Sequence, residues 1–290
     1  MSEFTLDQTD DVVVISLDGV AVAEYSATSD VAPVDTPKPY FHPLRTPAGV
    51  VVTGFAPEDH TWHHGLSFAF PRVGDHNLWG GGTYLSPEEG YHVREDQGSL
   101  RHTGWNEVSV GDQQVSIAHD VEWLGHAGEH LIDESRVWRL KAADDALIID
   151  LVTVLHNTTD TPLPLATPAQ RGRPDGGYGG LWLRLGEDFA AEALLADDAT
   201  VTESGAESRT LVVHGRTGSG EAVTLGLSFA PGVSPGAQKW LYRFEPFSAI
   251  GWAVAYDEGL EIPVGGKLSF AHRLALLDGH VDAELVRALL

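Results

Sequence analysis

Short runs of alternating apolar and polar residues, each closed by Gly, Pro, Asn or Asp, recur along almost the whole chain and leave little room for helices. "VVVISLDGVAVAEYSA" reads as two strands around an Asp18-Gly19 turn. "ALIIDLVTVLHN" (146–157) reads as a buried strand ended by Asn157, and "TLVVHGRTGSGEAVTLGLSFA" as a hairpin around Gly218–Gly220. "AIGWAVAYDEGLEIPVGGKLSFAHRLALLDG" gives two more strands, with Pro263 and Gly265-Gly266 between them. Helical periodicity surfaces only in "DGHVDAELVRALL". There Asp278 or Asp282 offers an N-cap, and Val281, Leu285, Ala288 and Leu289 form an apolar stripe. With 32 glycines and 16 prolines in 290 residues, the expected fold is all-β. It is a large antiparallel β-sandwich over 1–290 with a short C-terminal helix. The alternative is a two-domain split near "PLPLATPAQRGRPDGG" (162–177).

Charge narrows the function. The 42 acidic against 18 basic residues give a formal charge of −24, which repels phosphate backbones and anionic lipid. Nucleic-acid and membrane partners are therefore not expected, and the scattered acids read as a solubility device. The absence of cysteine excludes disulfides, zinc–thiolate sites, iron–sulfur clusters and thiol nucleophiles. The start, "MSEFTLDQTDD", is acidic and has no apolar signal region, and no run approaches the ~18 apolar residues of a membrane helix. The expected location is the cytoplasm.

The densest chemistry lies in "DHTWHHGLSFAF" (59–70). Treated as a strand from residue 60, it alternates between two faces. His60, Trp62, His64, Leu66, Phe68 and Phe70 form a bulky face, whereas Thr61, His63, Gly65, Ser67 and Ala69 form a small one. Small residues beside a histidine leave open volume, so His63 is expected to look into a cleft and His64 into the core. The flanking "KPYFHPLRTPAG" and "PRVGDHNLWGGGTYL" add His42, Arg45, His76, Asn77 and Trp79, with Gly80, Gly81 and Gly82 allowing close backbone approach. Tryptophan beside polar groups suits stacking on a sugar ring.

Metal and proton chemistry both stay open. "HAGEH" (126–130) matches H-x-x-E-H, but Gly125 and Gly128 argue against the helix that motif requires. Histidines from separate strands with a carboxylate such as Glu134 offer another route to a divalent metal. "EHLIDESRVWRL" (129–140) reads as a strand with His130, Ile132, Glu134, Arg136 and Trp138 on one face. Glu134 beside Arg136 is either a general base or a structural ion pair. Two glycine-flanked stretches are candidate rims: Arg171, Arg173, Asp175 and Tyr178 in one, Trp240, Arg243 and Pro246 in the other.

The set "KPYFHPLRTPAG…DHTWHHGLSFAF…DHNLWGG…YGGLWLRL" resembles an uncharacterised bacterial family often labelled "methane oxygenase PmoA". That label is a mislabel for a chain with no membrane span. More distantly, the strand pattern and the ending "LEIPVGGKLSFAHRLALLDG" resemble the galactose-mutarotase type of β-supersandwich. The resemblance implies a sugar in a concave cleft, with His63 and Glu134 as acid and base and His42, Arg45 and His76 binding. His64 is a further catalytic candidate, and His60, Asn77, Trp79, Arg171 and Tyr178 are further binding candidates. The expected function is a carbohydrate-active enzyme (epimerase, lyase or hydrolase) with a small-molecule sugar as its partner, and homo-oligomerisation stays open. The alternatives are a metal-dependent enzyme and a non-catalytic carbohydrate-binding module.

Overall fold

In the computed structural model, residues 3–290 are described apart from 112, 144, 198, 231 and 237. Among the described residues the chain forms two nine-stranded sheets and two small ones, every pairing of named strands antiparallel. The first sheet begins with Phe4–Gln8, Val12–Leu17, Val20–Ser26, Tyr40–Leu44 and Leu66–Ala69. It continues through Gly180–Arg184, Ala249–Ala253 and Lys239–Arg243 to Ala206–Glu207. The second is centred on a meander, Ser99–Gly111, Gln114–Leu124, His130–Ala143 and Ala146–Asn157, which pairs with Lys267–Asp278.

The turn chemistry works as expected. Asp18 and Gly19, at φ 50° and 83°, join Val12–Leu17 to Val20–Ser26. Thr210–Arg216 and Ala222–Phe229 form the hairpin around Gly218–Gly220. Between 249 and 278 there are three strands rather than two, Leu260–Ile262 being the addition.

A hydrophobic cluster from both sheets fills the space between them, with Trp123, Trp138, Trp240 and Trp252 fully buried. It draws on residues on both sides of 162–177. The C-terminal helix is Ala283–Ala288, capped by Asp282, whose side chain accepts from the Glu284 N–H. The expected stripe holds in part: Val281 and Leu289 pack on the sheet, but Leu285 is 65% exposed and Val286 is the fully buried anchor. A six-residue helix is too short to stand alone. Burying Val286, about 1.5 kcal/mol, over the bare backbone of Gly226 helps hold it in place. Among the described residues no helix is long and apolar enough to cross a membrane.

Three strands of the first sheet are buried on both faces: Leu66–Ala69, Gly180–Arg184 and Ala249–Ala253. Alternation sends Leu66, Phe68, Leu181, Leu183 and Ile250 toward the second sheet. The other face carries Ala69, Trp182, Ala249 and Ala253, which pack with Trp79, Leu241 and Phe247 in a separate cluster. Small residues there leave a hollow, and the chain covers it with loops.

Candidate functional site

The loop 59–64 is not the start of a strand, as alternation suggested. The strand begins only at Leu66, and residues 60–63 form a turn in which the His63 N–H donates to the His60 carbonyl at 2.9 Å. A turn brings residues three apart to one side, so His60 and His63 share a wall instead of facing opposite ways. Their rings stack with centroids 4.8 Å apart, and Trp62 joins them.

These three residues line a cavity of about 310 Å³. Trp79, Gly80 and Gly82 form a second wall, and Trp182 of Gly180–Arg184 a third. Arg173 and Tyr178 come from the loop before that strand, and Tyr91 from the short strand Tyr91–His92. Leu241 and Arg243 of Lys239–Arg243, with Phe247 just beyond, complete it. Trp79 and Trp182 meet edge to face at 5.3 Å, and the Tyr91 and Tyr178 hydroxyls hydrogen-bond at 2.8 Å.

The walls are fixed from behind. Buried Lys38 donates to the carbonyls of Trp79 (2.9 Å), Trp62 (3.0 Å), Asp35 and Thr36 (3.2 Å each). Burial pulls its pKa down to about 7, against the neighbouring Asp35 charge. Buried Asn77 accepts the N–H groups of Trp79 (2.9 Å) and Gly80 (3.0 Å), which makes it a brace of the 77–82 turn. Gly81 sits at φ 66°, and a Cβ there would lie 2.6 Å from the Trp62 ring. Glycine is thus what lets this backbone pass under the tryptophan.

Electrostatics set the two imidazoles apart. His63 is 5% exposed, and among the described residues its Nδ1 has no hydrogen-bond partner. Desolvation, then the charges of His60 and Arg184, hold its pKa well below the usual histidine range, so it is a neutral base. His60 Nδ1 lies 2.8 Å from Asp59 Oδ2. Although desolvation raises the Asp59 carboxyl, its contact with His60 leaves it below the usual carboxylate range. The wall therefore carries a neutral imidazole beside one in contact with a carboxylate.

Of the residues singled out in sequence, His60, His63, Trp79, Tyr178 and the candidate rim residues Arg173 and Arg243 converge here, whereas Asp175, Trp240 and Pro246 do not line the cavity. His76, Asn77 and Arg171 line an adjoining polar cavity of about 330 Å³ that shares Trp79, Gly80, Gly82 and Tyr178 with the first. His64 is 0% exposed, contacts the Thr61 carbonyl through Nε2 at 3.1 Å and packs on Tyr40 and Phe55. Burial lowers its pKa to about 2. His42 contacts Thr53 and stacks on Phe55, and Arg45 donates to the Ala21 carbonyl; neither lines the cavity.

Glu134 is not brought to His63. It lies in the second sheet, 1% exposed, bound by Arg136 (2.7 and 2.8 Å), Trp123 Nε1 (2.7 Å) and Thr153. The expected His63–Glu134 pair is thereby corrected. The period of two rightly puts Glu134 and Arg136 on one face of His130–Ala143, but that face is interior. Among the described residues, no three His, Asp or Glu side chains converge in a metal-binding group.

Trp182 and Phe247 were missed. Alternation along "GLWLR" was a usable signal, since it puts Trp182 and Arg184 on one face. Nothing local pointed to Phe247.

The sequence matches the family described as "Family of unknown function (DUF6807)" over residues 12–290. No curated protein matches it. Similar solved structures include the galactosidase domain of an alpha-galactosidase–sucrose kinase, at 9% identity and TM-score 0.49, over 96% of this chain and 42% of that one. Another is an alpha-galactosidase from Geobacillus stearothermophilus, at 10% identity and TM-score 0.44, over 96% of this chain and 41% of that one. A third is a galactose mutarotase related enzyme from Lactobacillus acidophilus, at 11% identity and TM-score 0.32, over 94% of this chain and 97% of that one. The chain spans less than half the length of the two galactosidases.

Proposed function

The chain belongs to DUF6807, a family of unknown function, so its chemistry is read from the site: we propose a carbohydrate-active enzyme that moves a proton between neighbouring atoms of a sugar, with His63 as base and His60 as acid. The observation that carries this reading is the stacked His60–His63 pair, 4.8 Å between centroids, in the wall of an aromatic cavity. Indole and phenol rings take the apolar face of a pyranose, and a volume of about 310 Å³ admits a single sugar ring.

The roles follow from charge. Neutral His63 accepts a proton from a hydroxyl or a carbon beside a carbonyl. His60, with Asp59 next to it, gives a proton to the neighbouring oxygen; in ring opening both protons return when the ring recloses, and in elimination His63 releases its proton to solvent while His60 takes one up from it. Because both imidazoles occupy one wall, they suit opening of the ring at the anomeric centre, or elimination from one face. Epimerisation at carbon by two opposed bases fits this arrangement less well. The His60–Asp59 contact also favours an enzyme over a binding module, which needs the aromatic walls but no histidine–carboxylate pair.

Proton NMR in D2O tests this. Wild-type protein is expected to speed anomer interconversion or solvent exchange in at least one of a panel of aldoses and uronates. His63→Gln should lower that rate by about 10²-fold or more, with the melting temperature within a few degrees. Equal rates in wild type and variant would end the proposal.

A further inference from the structure

Building on the reading that this cavity takes a sugar, we propose that the sugar is anionic, its carboxylate or phosphate received by Arg173 and Arg243.

The chain has 42 acidic residues and 18 Lys and Arg, so a random stretch of its surface offers carboxylates more often than cations. The cavity reverses that balance. Among the described residues no Asp or Glu lines it, whereas Arg173 and Arg243 do. Among the described residues neither guanidinium is paired with a carboxylate. Arg173 lies over the Tyr91 ring at 4.9 Å, and Arg243 over the Phe247 ring at 5.4 Å. A ring face stabilises a cation without neutralising it and leaves its N–H donors free.

Arg184 adds to the same field. It is 2% exposed and lies 4.7 Å from the Phe247 centroid, with Nε and Nη1 unpartnered. Among the described residues no carboxylate forms an ion pair with it; a guanidinium buried in this way is unfavourable, and an anion in the neighbouring cavity offsets that. Asp59 and Glu187 act on it from beyond pairing distance, and Asp59 is in contact with His60 at 2.8 Å.

The donor set also argues for the ligand class. A neutral sugar presents hydroxyls, which need acceptors as well as donors. Guanidinium only donates, in a planar fork that matches the paired oxygens of a carboxylate or phosphate. Stacking on the tryptophans and charge recognition at the arginines together describe an acidic sugar.

Isothermal titration with glucose, galactose, glucuronate, galacturonate, glucose 6-phosphate and benzoate tests this. The wild-type protein is compared with Arg173→Gln and Arg243→Gln, both half-exposed positions, after their melting temperatures are checked. An acidic sugar is expected to bind about tenfold tighter than its neutral parent, less so at high salt. Each variant should collapse that ratio toward one, and whichever of uronate and phosphate ester binds names the anion. Equal affinity for acidic and neutral sugars, or a ratio that survives both substitutions, overturns the inference and leaves the sugar reading standing. Arginine-dependent binding of benzoate with no response to any sugar overturns the sugar reading instead. No binding by any probe overturns both.

Discussion

The ammonium of Lys38 lies 2.9 Å from the main-chain oxygen of Trp79, and the same nitrogen reaches the carbonyl of Trp62 at 3.0 Å. One buried cation thus ties together two loops that are separate in sequence and that carry two aromatic walls of the cavity.

Lys38→Met keeps the length of the stem but leaves the carbonyls it served without a donor. The expected loss is about 3 kcal/mol of unfolding free energy, with a red shift and broadening of tryptophan emission. Urea titrations of both proteins measure it. An unchanged midpoint and spectrum would show that the lysine holds nothing.

Glu134 is expected to matter for folding rather than for chemistry. Its pairing with Arg136 is wholly buried, and removing one partner of such a pair costs about 3–5 kcal/mol. Glu134→Ala should therefore be strongly destabilised, and the double variant Glu134→Leu/Arg136→Met less so, because no charge is then left unpaired. A Glu134→Gln protein of native stability with sugar turnover abolished would return this residue to the catalytic machinery.

The proton acceptor should work well into acid. His63 must be neutral to accept a proton, and burial, His60 and Arg184 all hold it in that form. The acidic limb of the rate profile is accordingly expected below pH ~6.5, the ordinary histidine range. Arg184→Met removes one of the charges and should move that limb to higher pH. Initial rates across the pH range where the protein stays folded decide this, and a wild-type limb above 6.5 contradicts it.

His272 should make the fold acid-sensitive. It is buried among Phe68, Phe229, Trp252 and Phe270, neither ring nitrogen has a partner among the described residues, and burial pulls its pKa down to about 3. The unfolded chain takes up this proton near pH ~6.5, whereas the folded chain does so only near 3. Stability is therefore complete above about 6.5 and falls by about 1.4 kcal/mol per pH unit below it. His64 and His119, also depressed by burial, act with the same sign. His272→Leu should lower the slope by one proton, measured as denaturant midpoints at successive pH values. A slope unchanged by the substitution would rule this group out as a source.

Much of the fold was legible locally. The Asp18-Gly19 turn, the strand Ala146–Asn157, the hairpin around Gly218–Gly220 and the Asp282 cap rest on period-two alternation and turn chemistry within a few residues. Alternation also found the inner face of His130–Ala143 and the small face of Leu66–Ala69. The rest depended on which surface each face meets. Glu134 and His63 both sit beside bulky neighbours in sequence, yet one is sealed between the sheets and the other borders a cavity.

The sequence by itself determined that this chain alternates, turns often and gathers histidine, tryptophan and glycine around residues 59–82. Only the tertiary structure decided that a turn at 60–63 stacks His60 on His63, that Lys38 clamps Trp62 to Trp79, and that Trp182, Arg243 and Phe247 close the same hollow. The reason is physical. Alternation fixes which side chains share a face, whereas burial and pairing depend on the surface that the other sheet and the covering loops bring against it.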